Sequence, residues 1–422
     1  MADIKPIRAL RYTEKAGPLD TCVCPPYDIV NNEEYNALCK QNPYNLIRLE
    51  LPLGGEERYE EAGKLFCRWL EDGILARDEK EGIYLYTETF TLEGMTYSFR
   101  GLVCRVGLVP FSERVVLPHE ETLSKAKTDR FNLLCATGCN FSSVYSLYRD
   151  KEGTVRTLLA GCEELPILGE FTDGEGVTHT LQKIEDPTLI TRLVRAFSDK
   201  QLFIADGHHR YETGLNFKKH LEENGNPEDL EADSILMTLV DLEDDGLVVL
   251  PTHRLIRDLP VEKEAFLQKA SPYFTAREYP DVREAREVLE AHKDRHAFGF
   301  YTGGEGFTLL VGNEKADSLT VEGRSVAYAD LDVTVLHTLL LEGVLGIDRE
   351  NMAKQINLRY TRDQEEAVLS VRRGESTAAF LLNATTVEEI RAVAEAGDKM
   401  PQKSTYFYPK LKTGLVMNPL QR

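Results

Sequence analysis

The stretch that most constrains this chain is a junction between two kinds of residue. Gln201 to Ala205 is a short apolar run, and it passes directly into Asp206-Gly207-His208-His209-Arg210. Such a run, bounded by polar residues, suits a buried strand. The residues after it read as a helix that ends near Asn224-Gly225, where glycine is a normal stop. Strand, glycine turn and helix in direct succession demand a fold that mixes sheet and helix.

The junction also carries chemistry. The first turn of a helix has unpaired N–H groups and the positive end of its dipole, so it is a ready anion site. Gly207 lets a ligand approach the backbone, and His208, His209 and Arg210 add donors in the same turn. Asp206, at the strand end, can accept a proton from a hydroxyl or hold a metal ion. Phosphoryl transfer needs this set: positioning, charge neutralisation and a base. The plainer alternative makes Asp206 a helix cap and the histidines surface residues.

Composition narrows the partners. The chain has 422 residues, enough for two or three domains, and a formal charge of −20. That balance argues against nucleic acid and against anionic membranes, both of which need Lys and Arg on the protein. The N-terminus lacks an apolar leader core, and the longest apolar candidate, Val333 to Ile347, is broken by Thr, His, Glu and Gly. The eight cysteines all fall within the first 162 residues without a Cys-x-x-Cys pair, so free cytoplasmic thiols are preferred over a zinc site.

Periodicity outlines the rest. It predicts a helix over 56–72 stopped by Gly73, and a hairpin of Ile83–Leu92 and Met95–Val106 around Glu93-Gly94. A helix follows over 121–136, a strand over 141–148 and a helix over 187–198. Asp233–Leu242 and Leu247–Leu255 read as a second hairpin around Asp244-Asp245-Gly246. Helices are expected over 281–293, 331–345, 362–373 and 385–396, the last with a Thr385/Glu388 capping box. Strands are expected over 297–302, 306–311 and 377–383. The first 55 residues are weakly periodic.

Several other residues are candidates. In Pro118-His119-Glu120 a fixed loop presents His119 and Glu120, although acidic residues also favour a helix start. The rigid Cys24-Pro25-Pro26-Tyr27-Asp28 loop offers Tyr27 and Asp28 to a pocket, or serves only as a stiff turn. From Lys399 to Arg422 there are five basic residues and no acidic one; within this tail Lys403, Ser404 and Thr405 suit a phosphate. His253 follows a strand and reads as structural or as a substrate contact. His337, on an apolar helix, reads as a satisfied core residue, and Asp330 and Asp332 as helix caps.

Phe203 to Tyr211 resembles the signature of the ParB/sulfiredoxin-like fold, and most closely the version in archaeal free-serine kinases. Those enzymes carry Asp-Gly-His-His-Arg after a strand and a Pro-His-Glu segment upstream, matched here by Pro118-His119-Glu120. The 86 residues from Glu120 to Asp206 exceed the kinase spacing, which implies an insertion. Over its whole length the chain resembles the prokaryotic family known as domain of unknown function 1015. Cys24–Asp28, Asn42-Pro43-Tyr44-Asn45, Ala205–Tyr211 and Met400–Lys410 carry that resemblance, and the family name implies no activity.

The resemblance implies an α+β fold: a ParB/serine-kinase-like mixed sheet core with insertions over 1–258, and a C-terminal α/β region over 259–422 whose tail is able to pack back on the core. It implies a cytoplasmic kinase that phosphorylates a free hydroxylated amino acid, L-serine first, from ATP or ADP with Mg²⁺. Asp206 and Glu120 would then be catalytic, with Mg²⁺ held through one of them and no dedicated metal ligands. Gly207, His208, His209, Arg210, Lys403, Ser404 and Thr405 would bind phosphate or nucleotide; His119, Tyr27, Asp28 and His253 would face the substrate. The expected partners are small molecules, neither nucleic acid nor membrane, and the oligomeric state stays open, a homodimer included. The rival readings are a ParB-like nucleotide-binding switch and a non-catalytic ligand sensor.

Overall fold

In the computed structural model the described residues are 2–122, 124–225 and 231–421. The chain forms two compact units. The first holds residues 1–118, 122–248 and 409–422; the second holds 119–121 and 249–408. The fold is mixed α and β, with a nine-stranded mixed sheet in the first unit and a six-stranded sheet in the second. No helix among the described residues is long and apolar enough to cross a membrane.

The first unit is organised by its hairpin. Ile83–Leu92 pairs with Met95–Gly107, and Glu93 and Gly94 both take positive φ, 56° and 78°. Two left-handed residues make the two-residue turn whose twist matches the strands. Strand order runs Val116–Leu117, Leu202–Asp206, Val144–Tyr148, Ser234–Asp241, Met95–Gly107, Ile83–Leu92, Thr178–Ile184, Ile167–Thr172, and Ile4–Lys5 also pairs with Met95–Gly107. Leu202–Asp206 thus lies between a parallel and an antiparallel neighbour. The helix Pro187–Phe197 opens with proline after the cap Asp186 and buries Leu193 and Phe197 in the same core. A second core gathers on Trp69, Phe66 and Phe141, fed by the helix Arg58–Glu71.

In the six-stranded sheet of the second unit the pairings are antiparallel: Phe274–Tyr279, Phe307–Gly312, Ala297–Tyr301, Ala378–Leu382, His253–Ile256 and Leu358–Thr361, in that order. Both faces are covered. Phe298, Phe300, Ala378 and Phe380 enter one core, while Ala297, Tyr301, Ala379 and Leu381 enter the other. That split is the period of two of a pleated strand.

Four expectations change. The proposed hairpin over 233–255 does not form. Ser234–Asp241 is already paired on both sides, with Met95–Gly107 and Val144–Tyr148, whereas His253–Ile256 pairs with Leu358–Thr361 and Ala378–Leu382. The capping box lies one residue later, at Thr386 and Glu389. The segment read as a helix over 331–345 starts as α at Asp332–Val335 and continues as a π-helix over Leu336–Glu342. The weakly periodic N-terminal stretch contains a helix, Asn32–Gln41, closed by an Asn31/Glu34 capping box.

Candidate active site

The strand Leu202–Asp206 loses register against Val144–Tyr148 between Ile204 and Asp206. A bulge of this kind re-aims the next side chain, here Asp206. Gly207 follows in the left-handed region, φ 91° and ψ 28°, and the helix His208–Asn224 begins at once. A β-carbon on Gly207 would lie 2.8 Å from Arg210 Nε. Glycine is therefore required for both its backbone angles and the space it leaves.

Arg210 folds back beneath this turn. Its Nη2 donates to Asp206 Oδ2 at 2.9 Å, and its Nη1 donates to the Ser143 carbonyl. Lys410 Nζ stands 3.4 Å from the other oxygen, Asp206 Oδ1. Asp206 therefore faces a cation at each oxygen, and its side chain does not cap the helix. Burial alone would raise the carboxyl pKa, but Lys410, Arg210 and His208 outweigh it and hold it at about 2. So paired, Asp206 is ionised and a weak proton acceptor.

His208 is buried and His209 half-buried. Burial pushes the His209 pKa down against the pull of Asp28 and Glu212, with Lys127 and Arg210 adding to the fall. Near neutrality His209 is an uncharged ring with one donor and one acceptor nitrogen.

The Cys24–Asp28 loop reaches this same electrostatic neighbourhood. Pro25 and Pro26 lead into a short 3₁₀ turn, Tyr27–Ile29. The Tyr27 ring lies against the Arg130 guanidinium, 4.0 Å from its carbon, and burial pushes the phenol up to about 12. Asp28 acts on both His209 and Arg210. Glu50 is buried, accepts from Ser142 Oγ at 2.8 Å and lies 3.6 Å from Arg130 Nη1. Burial pushes its carboxyl up, opposed by Arg130, Ser142 and Arg210.

The first unit thus brings together Asp206, Gly207, His208, His209, Arg210, Tyr27 and Asp28. Sequence reasoning missed Lys410, Glu50, Arg130 and Ser142. The acid-free tail contains Lys410, but its local pattern favours Lys403, which two hydroxyls follow. Glu50 and Arg130 give no local signal, since a Glu or an Arg in a helix usually faces water.

The other candidates lie in the second unit. His119 is buried; its Nε2 is 3.2 Å from Thr405 Oγ1, and its carbonyl accepts from Met400 N at 2.7 Å. Glu120 is half-buried. The Lys403 carbonyl accepts from Arg254 Nη2 at 3.1 Å, and Ser404 Oγ donates to the Pro401 carbonyl at 2.5 Å. His253 is buried, and its Nδ1 accepts from Leu382 N at 3.2 Å. Burial and Arg254 push its pKa down to about 4.

Magnesium is the cofactor that the kinase resemblance implies. Among the described residues no group of three or more His, Cys, Asp or Glu is placed to hold a metal. Asp206, ion-paired at both oxygens, does not fit a resident Mg²⁺ site, because the ion would have to displace two cations.

The chain belongs to the family described as Protein of unknown function (DUF1015), which matches residues 4–334. None of the curated proteins matches. Among solved structures it is similar to a conserved hypothetical protein from Pyrococcus furiosus, at 15% identity and TM-score 0.35, covering 75% of this chain and 95% of that one. It is similar to a free serine kinase in complex with AMP, at 16% identity and TM-score 0.34, covering 75% and 92%. It is also similar to SbnI with a C-terminal truncation from Staphylococcus aureus, at 10% identity and TM-score 0.37, covering 75% and 87%.

Proposed function

We propose that this protein is a nucleotide-dependent phosphotransferase that acts on a small hydroxylated substrate, L-serine first, with ATP or ADP as donor. The observation that carries the reading is the Asp206 carboxylate at a strand end, ion-paired with Arg210 and Lys410 beside a glycine turn and a helix N-terminus. Arriving phosphates compete for both cations. As Arg210 and Lys410 turn to phosphate oxygens, Asp206 loses the charges that hold its pKa low and becomes a better base. It then takes the hydroxyl proton while the hydroxyl oxygen attacks the terminal phosphorus and the donor leaves one phosphate shorter. Glu120 is the second proposed carboxylate, and its part rests on the Pro118-His119-Glu120 sequence match alone.

The same pairing favours a second reading, a nucleotide-binding switch, if Asp206 stays paired when phosphate binds. Thermal-shift measurements with ATP, ADP, CTP and GTP, followed by incubation with hydroxylated amino acids and phosphorus NMR, separate the two. A new phosphomonoester signal supports the kinase. Stabilisation without product supports the switch, and stabilisation by no nucleotide defeats both.

A further inference from the structure

The second unit contains a cavity of about 260 Å³ that the kinase reading does not use. One wall is the segment Asp332–Glu342, whose apolar residues Val333, Val335, Leu336, Leu339 and Leu340 enter the core. Its polar residues Thr334, His337, Thr338 and Glu342 recur at spacings of three and four and line the cavity instead. The backbone is a π-helix over Leu336–Glu342, a conformation frequent at functional sites. Thr334 and His337 are at least nine-tenths buried, yet Thr334 Oγ1 and His337 Nε2 have no hydrogen-bond partner among the described residues. Buried polar atoms are almost always paired, so two orphans facing one cavity point to a ligand. His337 is thus not the satisfied core residue expected from its apolar helix.

Three further features define the ligand. Tyr328 and Tyr360 line the cavity with Met352 and Met400, which suits a flat apolar face. Arg349 and Lys399, also lining it, make no ion pair with described residues, whereas Arg324 is held by Asp398 at 2.7 Å. Behind Tyr360, with its guanidinium carbon 5.5 Å from the ring centroid, Arg254 is fully buried. Arg254 bonds to the carbonyls of Thr252 and Lys403, and no described carboxylate pairs with it. Glu121 and Glu342 also border the cavity; set against Arg349, Lys399 and the nearby Arg254 they leave one positive charge in excess. A purely apolar ligand would strand Thr334 and His337; a cation would meet the arginines; a bare phosphate would leave the tyrosines unused.

We infer that this cavity binds a flat heteroaromatic ring joined to an anionic group, with the ring edge on Thr334 and His337 and the anion toward Arg349 and Lys399. The inference does not depend on the kinase reading.

Isothermal titration of the full chain with AMP and with nicotinate tests it, with adenosine as the uncharged control. At least one of the two anions binds, which tells a mononucleotide from a heteroaromatic carboxylate, and adenosine binds ~10-fold or more weakly than AMP where AMP is the ligand. Arg349→Glu, at an exposed position, weakens the bound anion by ~10-fold, and His337→Leu also weakens it. Failure of both anions to bind, or indifference of the bound anion to Arg349→Glu, would each overturn the inference.

Discussion

Arg210 and Arg254 are both withdrawn from water, and their surroundings differ in one respect. Arg210 lies beside Asp206, and although burial works to lower its pKa, the carboxylates of Asp206 and Asp28 win and raise it. Arg254 has two carbonyls and a tyrosine ring but no carboxylate; burial pulls its pKa down to about 10. A buried charge with a partner is a settled ion pair, while one without a partner leaves a positive field for something else to meet. The charge of Arg210 is met by carboxylates, and among the described residues that of Arg254 is not.

The largest test of this contrast is Asp206→Asn. It removes the base and the shared partner of Arg210 and Lys410, and phosphoryl transfer is expected to fall by about three orders of magnitude in a product-formation assay. A variant with full activity would end the assignment. Arg210→Met is next: stranding Asp206 beside Lys410 alone is expected to cost about 3–5 kcal/mol in denaturant unfolding. Arg254→Met strands only two carbonyls and relieves an unpaired charge, so its stability should stay within about 1 kcal/mol of the parent. Equal losses in the two variants would erase the distinction.

Acid separates the units as well. His253, with a folded pKa of about 4, stays neutral in the fold while the unfolded chain protonates, so its penalty grows as pH falls from about 6.5 to 4 and reaches roughly 3 kcal/mol at most. His296, raised by Asp332 against burial, works the other way, adding stability below its unfolded pKa that is lost as pH rises. Asp206 has a folded pKa near 2, so its contribution is full above about pH 4 and is lost between 4 and 2. The one tryptophan, Trp69, is buried in the first unit, so its fluorescence should hold to lower pH than hydrogen exchange in the second unit's sheet. Gly207→Ala is expected to cost about 1–2 kcal/mol from the positive φ and the crowded Arg210, read as a drop in melting temperature.

Local features were legible in the sequence. The hairpin over 83–107, the helix Pro187–Phe197 and the strand-turn-helix at Asp206 follow from periodicity and turn chemistry, which act over a few residues. Partners were not legible. The alternation in 247–255 is genuine, yet nothing local says that Ser234–Asp241 has no free edge to receive it. The π-helix was hidden for a similar reason, since Val333 to Ile347 has the apolar spacing of either helix type. In the site, the motif supplied Asp206 through Arg210, but only the fold could bring Lys410 to it.

That arrangement has a consequence for synthesis. Lys410 leaves the ribosome 204 residues after Asp206, which at ordinary elongation rates is a delay of about 10–40 s. Until then the nascent chain holds Asp206 with one cation instead of two. Cys24 and Leu10 wait about twice as long for their backbone partners, Thr413 and Met417. The first unit is therefore begun before residues 249–408 are made and completed only after them, so its finished charge balance reports that this intervening stretch has been translated.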